Sequence, residues 1–205
     1  MGMADVPASK AADTSAELHE AIRNRWSPRA FAERDIQAED LRRLLEAARW
    51  SASCFNEQPW RFVLASKADA AAYHKMLSVL SERNQKWART APLLMLTAGK
   101  RTFSHNGAPN RFALHDAGMA LATLMVQATA MGLSVHAMGG FDQVRARAEF
   151  GIPDDYEVGA AVALGYLGDS SSLPEEFQEN ERAPRKRKPL AEIAFQGAWG
   201  AGVQF

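Results

Sequence analysis

The sequence predicts a single domain that combines α-helices with short β-strands. Its 205 residues are enough for one large domain with its own core. Its hydrophobic fraction of 47% is typical of globular proteins. Helical and strand-like patterns alternate along the chain, without an internal repeat or a break in composition between residues 15 and 169. We therefore divide the chain into a flexible leader, residues 1–14, and one domain, residues 15–205.

Local patterns predict each element of the first half. Thr14 and Glu17 have capping-box spacing, which predicts a helix from this point to about residue 24. Residues 37–50 carry apolar side chains on one helical face and acidic residues in the first turn, which predicts an amphipathic helix. The pattern then predicts, in order, a loop over 51–59, a strand over 60–65, a helix over 68–89, a strand over 92–97 and a loop over 102–110.

The second half contains the longest predicted helix, residues 112–131, which is apolar nearly all round. Such a helix is expected to be central or to lie at a subunit interface. The pattern then predicts a strand over 134–138, a turn at 139–140, a helix over 143–150 and a strand over 157–166. Beyond residue 170 we expect an acidic loop, a basic cluster over 182–188 and a glycine-rich tail over 196–205.

Composition excludes several classes of protein. The 24 basic and 24 acidic residues cancel, so no global field favours nucleic acid or anionic lipid. Cys54 is the single cysteine, which excludes an intramolecular disulfide framework or a multi-cysteine metal site and indicates a reducing compartment. The longest weakly polar run, residues 118–133, is shorter than the roughly 20 residues of a membrane span. We expect a cytoplasmic protein without membrane, nucleic-acid or metal partners.

The chain also lacks the common motifs of catalysis that depends on side chains. It contains no phosphate-binding Gly-x-x-x-x-Gly-Lys, no His-Glu-x-x-His and no Gly-x-Ser-x-Gly, and no two of its five histidines have ligand spacing within one helix. If the protein is an enzyme, its reactivity is therefore expected to come from a bound cofactor.

Arg25-Trp26-Ser27-Pro28-Arg29 is the first candidate cofactor segment. Ser-Pro resembles a helix cap followed by proline at the first helical position, and two guanidinium groups flank it. A hydroxyl, backbone N–H groups and guanidinium forks suit an anionic phosphate. A solvated basic turn explains the same residues, and spacing alone favours this second interpretation.

The second and third candidates are residues 51–60 and residues 135–142. The small polar residues and aromatics of 51–60 suit a loop that covers a flat ring, or an ordinary loop from which Trp60 starts a strand. In 135–142 a strand, the pair Gly139-Gly140 and a helix follow one another. Glycine at this place allows close approach of another group to the backbone, or supplies a tight turn with positive φ.

Together, these segments resemble the FMN-dependent nitroreductase family over roughly residues 16–200. Five motifs occur in the family's order: Arg25-Trp26-Ser27-Pro28-Arg29 with Phe31; Ser51-Ala52-Ser53-Cys54-Phe55-Asn56-Glu57-Gln58-Pro59-Trp60; Asn84, Trp87 and Ala91-Pro92; Gly140-Phe141-Asp142; and Arg185-Lys186-Arg187-Lys188-Pro189. Ala52, Cys54 and Gly139 depart from the residues usual in the family. These departures leave open how the 51–60 loop contacts the flavin and how its pyrimidine edge is held.

The resemblance implies an α+β fold, with a central mixed and mostly antiparallel sheet flanked by helices. It also implies a homodimer with exchanged C-terminal tails and FMN at the interface. The implied cofactor-binding residues are Arg25, Trp26, Ser27, Arg29, Ala52, Ser53, Cys54, Asn56, Asn84, Met138, Gly139, Gly140, Arg185 and Arg187.

Each group of these residues has an implied role. The phosphate is held by Arg25, Ser27, Arg185 and Arg187. Arg29 faces the N1–C2 edge of the flavin, Asn84 the pyrimidine side, and 138–140 line the ring with a Gly140 N–H available to N5. From the partner subunit, four residues are expected to reach the flavin: Ala52, Ser53, Cys54 and Asn56.

The resemblance further implies a ping-pong reaction. NADH or NADPH reduces the flavin through N5, and a nitroaromatic, quinone or enone acceptor then takes the electrons, without a catalytic side chain. The alternatives are other flavin chemistry (dehalogenation or flavin breakdown), a non-catalytic flavin-binding sensor, and a flavin-free protein whose basic tail binds an acidic partner.

Overall fold

The computed structural model describes residues 6–203, so the first five residues of the predicted leader and the last two of the tail lie outside the described residues. Seven helices are present in this part of the chain: α1 Glu20–Asn24, α2 Ala38–Arg49, α3 Ala70–Ser78, α4 Glu82–Ala88, α5 Ala113–Ala130, α6 Gln143–Glu149 and α7 Glu175–Arg182. Four strands accompany them: β1 Trp60–Ser66, β2 Leu93–Lys100, β3 Ser134–Met138 and β4 Tyr156–Gly165.

The strands form one antiparallel sheet in the order β1-β2-β4-β3. Alternate residues of β2 face opposite sides of it. Leu93 and Met95 belong to a core that includes residues of α2 and α5, whereas Leu94 and Leu96 belong to a core with residues of α3, α4 and α7. The predicted α+β architecture, a mostly antiparallel sheet flanked by helices, is confirmed.

Several elements have nearly the predicted bounds. The strand at 134–138 and the helices predicted at 37–50, 112–131 and 143–150 differ from the structure by no more than one residue at either end. These segments have strong local periodicity, which is the most reliable signal of an element. No helix within residues 6–203 combines the length and the apolar character needed to cross a bilayer.

The predicted start of the first helix is wrong. The helix begins at Glu20, capped by the His19 side chain, and the capping box at 14–17 does not form. The chain reverses in this region, because the Ala12 N–H donates to the Arg23 carbonyl at 2.9 Å. The residues between Ala12 and the start of α1 at Glu20 form this reversal rather than a helical turn.

The helix predicted over 68–89 is also wrong, because it is two helices. Leu80 forms an isolated bridge with Phe141, and the Ser81 N–H donates to the Gly140 carbonyl at 2.9 Å. The Ser81 hydroxyl then caps α4. Pairing with a segment 60 residues later in the chain therefore interrupts the helix.

The predicted acidic loop is a helix, α7. Phe177 and Glu181 lie one turn apart and are both buried. Burial of this face stabilises a helix whose exposed positions are strongly polar. This helix matters for the candidate site, because it brings Glu181 against the segment 25–29.

Candidate functional site

Several positively charged side chains surround a cavity of about 290 Å³. Its walls come from the segment 25–29, from the end of α7 and from the chain that follows it. Within residues 6–203, five cationic side chains and one carboxylate line it: Lys10, Arg25, Arg29, Arg185, Arg187 and Glu181. The two basic segments that the sequence places 160 residues apart are therefore brought together.

The segment 25–29 is held by its backbone. The Glu181 carboxylate accepts from the N–H groups of Arg29 at 2.7 Å and Ala30 at 3.0 Å. His136 Nδ1 lies 2.9 Å from the Pro28 carbonyl, to which it donates. These contacts hold the segment outside any helix, so the likeness of Ser27-Pro28 to a helix cap followed by proline is not accompanied by a helix.

Arg185 connects the C-terminal basic cluster to this segment. Its guanidinium donates to the carbonyl of Arg25 and, at 2.7 Å, to that of Arg23. Arg25 itself donates to the Ser27 hydroxyl at 3.4 Å. These bonds fix the basic cluster and the Arg25–Ser27 pair on one wall of the cavity.

The positive charges of the cavity oppose one another. Burial lowers the pKa of the Arg25 guanidinium, and the charge of Arg187 lowers it further. Burial also lowers the pKa of Arg185, with contributions from Arg25 and Arg187. An anion in the cavity would relieve both effects, because it compensates desolvation and repulsion together.

Two buried donors at the cavity strengthen this conclusion. In the described part of the chain, the donors Trp26 Nε1 and Arg185 Nε have no hydrogen-bond partner, and neither does the acceptor Glu181 Oε2. Buried donors are nearly always satisfied, so each calls for an acceptor. A phosphate group, which offers several acceptor oxygens, fits this donor set.

Two residues of this cavity were not predicted from the sequence. Lys10 lies in the segment expected to be a flexible leader, yet its side chain is buried. Glu181 was assigned to an acidic loop, yet it is the carboxylate that anchors 29–30. Neither belongs to a recognisable motif, and no local signal distinguishes them from surface residues.

A second group of predicted residues surrounds the glycine pair after β3. Asn84 Nδ2 donates to the Gly140 carbonyl at 2.9 Å, which leaves its amide oxygen as a free acceptor in this set of contacts. A Cβ at Gly140 would lie 2.8 Å from Asn84 Nδ2, while at Gly139 it would meet open space. Neither glycine has a positive φ. Close approach, rather than a left-handed turn, therefore explains Gly140.

Aromatic contacts connect this second group to the cavity. The Arg29 guanidinium lies 5.9 Å from the Trp87 ring, which is one turn from Asn84 on α4. The His136 ring, two residues before Met138 on β3, lies 4.5 Å from the same indole. Burial lowers the pKa of His136 to about 4, although its bond to Pro28 opposes the change. The imidazole is therefore neutral at physiological pH.

The third predicted group, residues 52–56, does not line the cavity of the same chain. The Cys54 N–H donates to the buried carboxylate of Asp116 on α5 at 2.9 Å, and Glu57 accepts from the Ser104 N–H and hydroxyl. Phe55, Asn56 and Gln58 all have positive φ. Such a backbone is strained for residues other than glycine, and strain of this kind is concentrated at functional sites. Residues 52–56 contribute nothing to the cavity walls of their own chain.

The sequence model of the nitroreductase family matches residues 22–166. The chain therefore belongs to the nitroreductase family, as its motifs predicted.

Individual relatives extend the comparison. A crystal structure described as an oxidoreductase containing FMN is 39% identical, with a TM-score of 0.87, covering 92% of this chain and 96% of the other. A nitroreductase family protein from Clostridium difficile is 25% identical, with a TM-score of 0.69, covering 89% and 99%. A Xanthomonas oryzae protein that bears the name NADH dehydrogenase/NAD(P)H nitroreductase is 29% identical over 178 residues, covering 78% of this chain and 89% of its own.

Proposed function

We propose that the protein is an FMN-dependent NAD(P)H oxidoreductase that reduces nitroaromatic, quinone or enone acceptors. The observation that carries the proposal is the cavity where five cations face one carboxylate. A phosphate monoester such as that of FMN has close to two negative charges at neutral pH and would compensate part of this positive charge. The FMN of the 39% identical structure supports the cofactor, and the name of the Xanthomonas relative supports the reductant.

The phosphate would be bound by Arg25, Ser27, Arg185 and Arg187. Guanidinium forks form paired charge-assisted hydrogen bonds with phosphate oxygens, which the ammonium of lysine cannot match in geometry. Arg185 already bonds two backbone carbonyls, so its charge is fixed in place before the phosphate binds.

Other side chains would orient the flavin ring. Arg29 is anchored through its backbone by Glu181 and would supply a fixed positive charge at the N1–C2 edge. Asn84 would accept from the pyrimidine side with its free amide oxygen. Exposed Gly139 and Gly140 would let the ring approach the backbone, because neither presents a Cβ.

When bound, FMN would supply the redox chemistry that carries two electrons from NAD(P)H to the acceptor. The chain's own residues bind and orient, and none is proposed as an acid or base. We propose that reductant and acceptor use the same exposed ring face in turn, a ping-pong order. Double-reciprocal plots of initial rate against acceptor concentration, measured at several fixed NADH concentrations, would then be parallel lines.

We further propose that the active form is a homodimer in which 52–56 reach the flavin of the partner subunit and the C-terminal tails exchange. The separation of 52–56 from the cavity of their own chain supports this. So does the tail, where Ile193 is 61% and Trp199 92% exposed in the described chain. Large apolar side chains exposed to this degree are typical of interaction surfaces.

An absorbance spectrum of the purified protein tests the proposal. Flavin bands, or their shift and fluorescence quenching on titration with FMN, are the expected result. Anaerobic bleaching by NADH or NADPH then separates an enzyme from a passive flavin-binding protein. A colourless protein that leaves added FMN unaltered contradicts the proposal.

A further inference from the structure

We propose that Lys10, outside the segment that matches the family, is a further phosphate-binding residue of this site. The inference rests on the proposed function, because it assigns the phosphate of FMN to the cavity. It assigns to the N-terminal segment a role in binding that no sequence motif indicates.

The burial of Lys10 is the first observation. Its side chain is 4% exposed, whereas lysines are almost never fully buried without a partner. It ends a short 3₁₀ turn, Ala8–Lys10, which brings the side chain inward. The segment then continues to Ala12, whose N–H bonds the Arg23 carbonyl. The position of Lys10 is therefore fixed on both sides by backbone hydrogen bonds or turns.

The contacts of Nζ place it at the cavity. It donates to the carbonyls of Asn180 at 3.2 Å and Ala183 at 2.5 Å, at the C-terminal end of α7, and lies 4.7 Å from the Trp26 ring. An ammonium has three N–H donors. Two are used by the carbonyls, and one remains for a ligand in the cavity that Lys10 lines.

The charges around Lys10 favour an anionic ligand. Glu181, the carboxylate lining this cavity within residues 6–203, already accepts two backbone N–H groups and lies beside Arg29 as well. Burial lowers the pKa of Lys10, the charge of Glu181 raises it, and the charges of Arg185 and Arg29 lower it further. One carboxylate leaves most of the five positive charges uncompensated, so an anionic group with about two negative charges would reduce the excess.

The test compares FMN with riboflavin, which has the same ring but no phosphate. Lys10→Met is expected to weaken FMN binding at least tenfold, as loss of a charge-assisted hydrogen bond requires, and to change riboflavin binding less than twofold. Lys10→Arg is expected to retain most of the FMN affinity. Lys186→Met removes a charge from an exposed neighbour of the cavity and is expected to change FMN binding less than threefold.

The remaining outcomes distinguish failure of the Lys10 inference from failure of the proposed function. Equal weakening of FMN and riboflavin would mean that Lys10 only caps α7. Unchanged FMN affinity in Lys10→Met would exclude any role in binding. If the wild-type protein binds neither flavin, the proposed function fails. Titration with inorganic phosphate then decides the inference, because weaker phosphate binding by Lys10→Met supports it and equal or undetectable binding overturns it.

Discussion

Replacement of Glu181 by alanine is expected to destabilise the protein strongly. The carboxylate is 2% exposed and accepts from two backbone N–H groups at 2.7 and 3.0 Å. Each buried donor that loses its partner costs about 1–3 kcal/mol, so the loss of both bonds in Glu181→Ala is expected to lower the free energy of unfolding by roughly 2–6 kcal/mol. For a chain of this size about 1 kcal/mol corresponds to roughly 2–4 °C, which predicts a fall in Tm of at least about 4 °C.

Glu181→Gln separates hydrogen bonding from charge. The amide oxygen can still accept both N–H groups, although a neutral acceptor forms bonds about half as strong as a charged one. We expect an intermediate Tm. FMN affinity should be maintained or increased, because the cavity loses its negative charge while Arg29 and Ala30 keep their anchor.

Thermal unfolding followed by circular dichroism measures the Tm of the wild-type protein, Glu181→Gln and Glu181→Ala, with Glu179→Ala as the matched control. Glu179 lies on the exposed face of the same helix, where replacements change stability by about 0.5 kcal/mol or less. A Tm for Glu181→Ala within 2 °C of that control would refute the argument that this carboxylate anchors the 25–30 segment.

Four further variants test the site and the fold. Arg187→Ala is expected to weaken FMN binding at least tenfold while leaving riboflavin binding almost unchanged, and an unchanged FMN affinity in fluorescence titration would contradict its phosphate role. The His136 pKa of about 4 lies below its unfolded value of 6.5, so the unfolded chain binds the extra proton between these pH values. The contribution of the neutral imidazole to the free energy of unfolding should therefore be fully present above pH 6.5, and about 3 kcal/mol of it should be lost as the pH falls towards 4. In urea titrations at pH 7 and pH 4.5, His136→Asn should remove most of this loss, and an identical pH dependence in the variant would exclude His136 as its source. Gly140→Ala should cost about 1–3 kcal/mol and weaken FMN binding, because the new Cβ would lie 2.8 Å from Asn84 Nδ2; wild-type stability and affinity together would show that close approach is not required. Tyr73→Phe should lower the free energy of unfolding by about 1–2 kcal/mol, since the buried hydroxyl donates to the Ala91 carbonyl at 2.6 Å and lies 3.2 Å from that of Ala88; wild-type stability in denaturant would contradict this.

The sequence predicts elements whose signal is local. The strand 134–138 and the helix 37–50 follow from hydrophobic periodicity, and the structure reproduces them closely. The break at Leu80 could not be predicted, because it depends on pairing with Phe141, far along the chain. Long-range contacts of this kind override helical propensity.

The candidate site likewise combines residues that local motifs predict with residues that depend on long-range contacts. The motif order placed Arg25 and Arg187 at one site, and the structure brings both to one cavity. Lys10 and Glu181 have no motif, since their burial depends on α7 meeting the 25–30 segment and the N-terminal turn. The positive φ of Phe55 likewise has no signal in the sequence, because phenylalanine has no preference for that conformation.

A crystal structure of the protein with bound FMN tests the central claim most directly. The account predicts phosphate oxygens within hydrogen-bond distance of the guanidinium groups of both Arg25 and Arg187, inside the cavity beneath Trp26. A flavin whose phosphate lies outside this cavity, with these two side chains in contact with solvent alone, would contradict it.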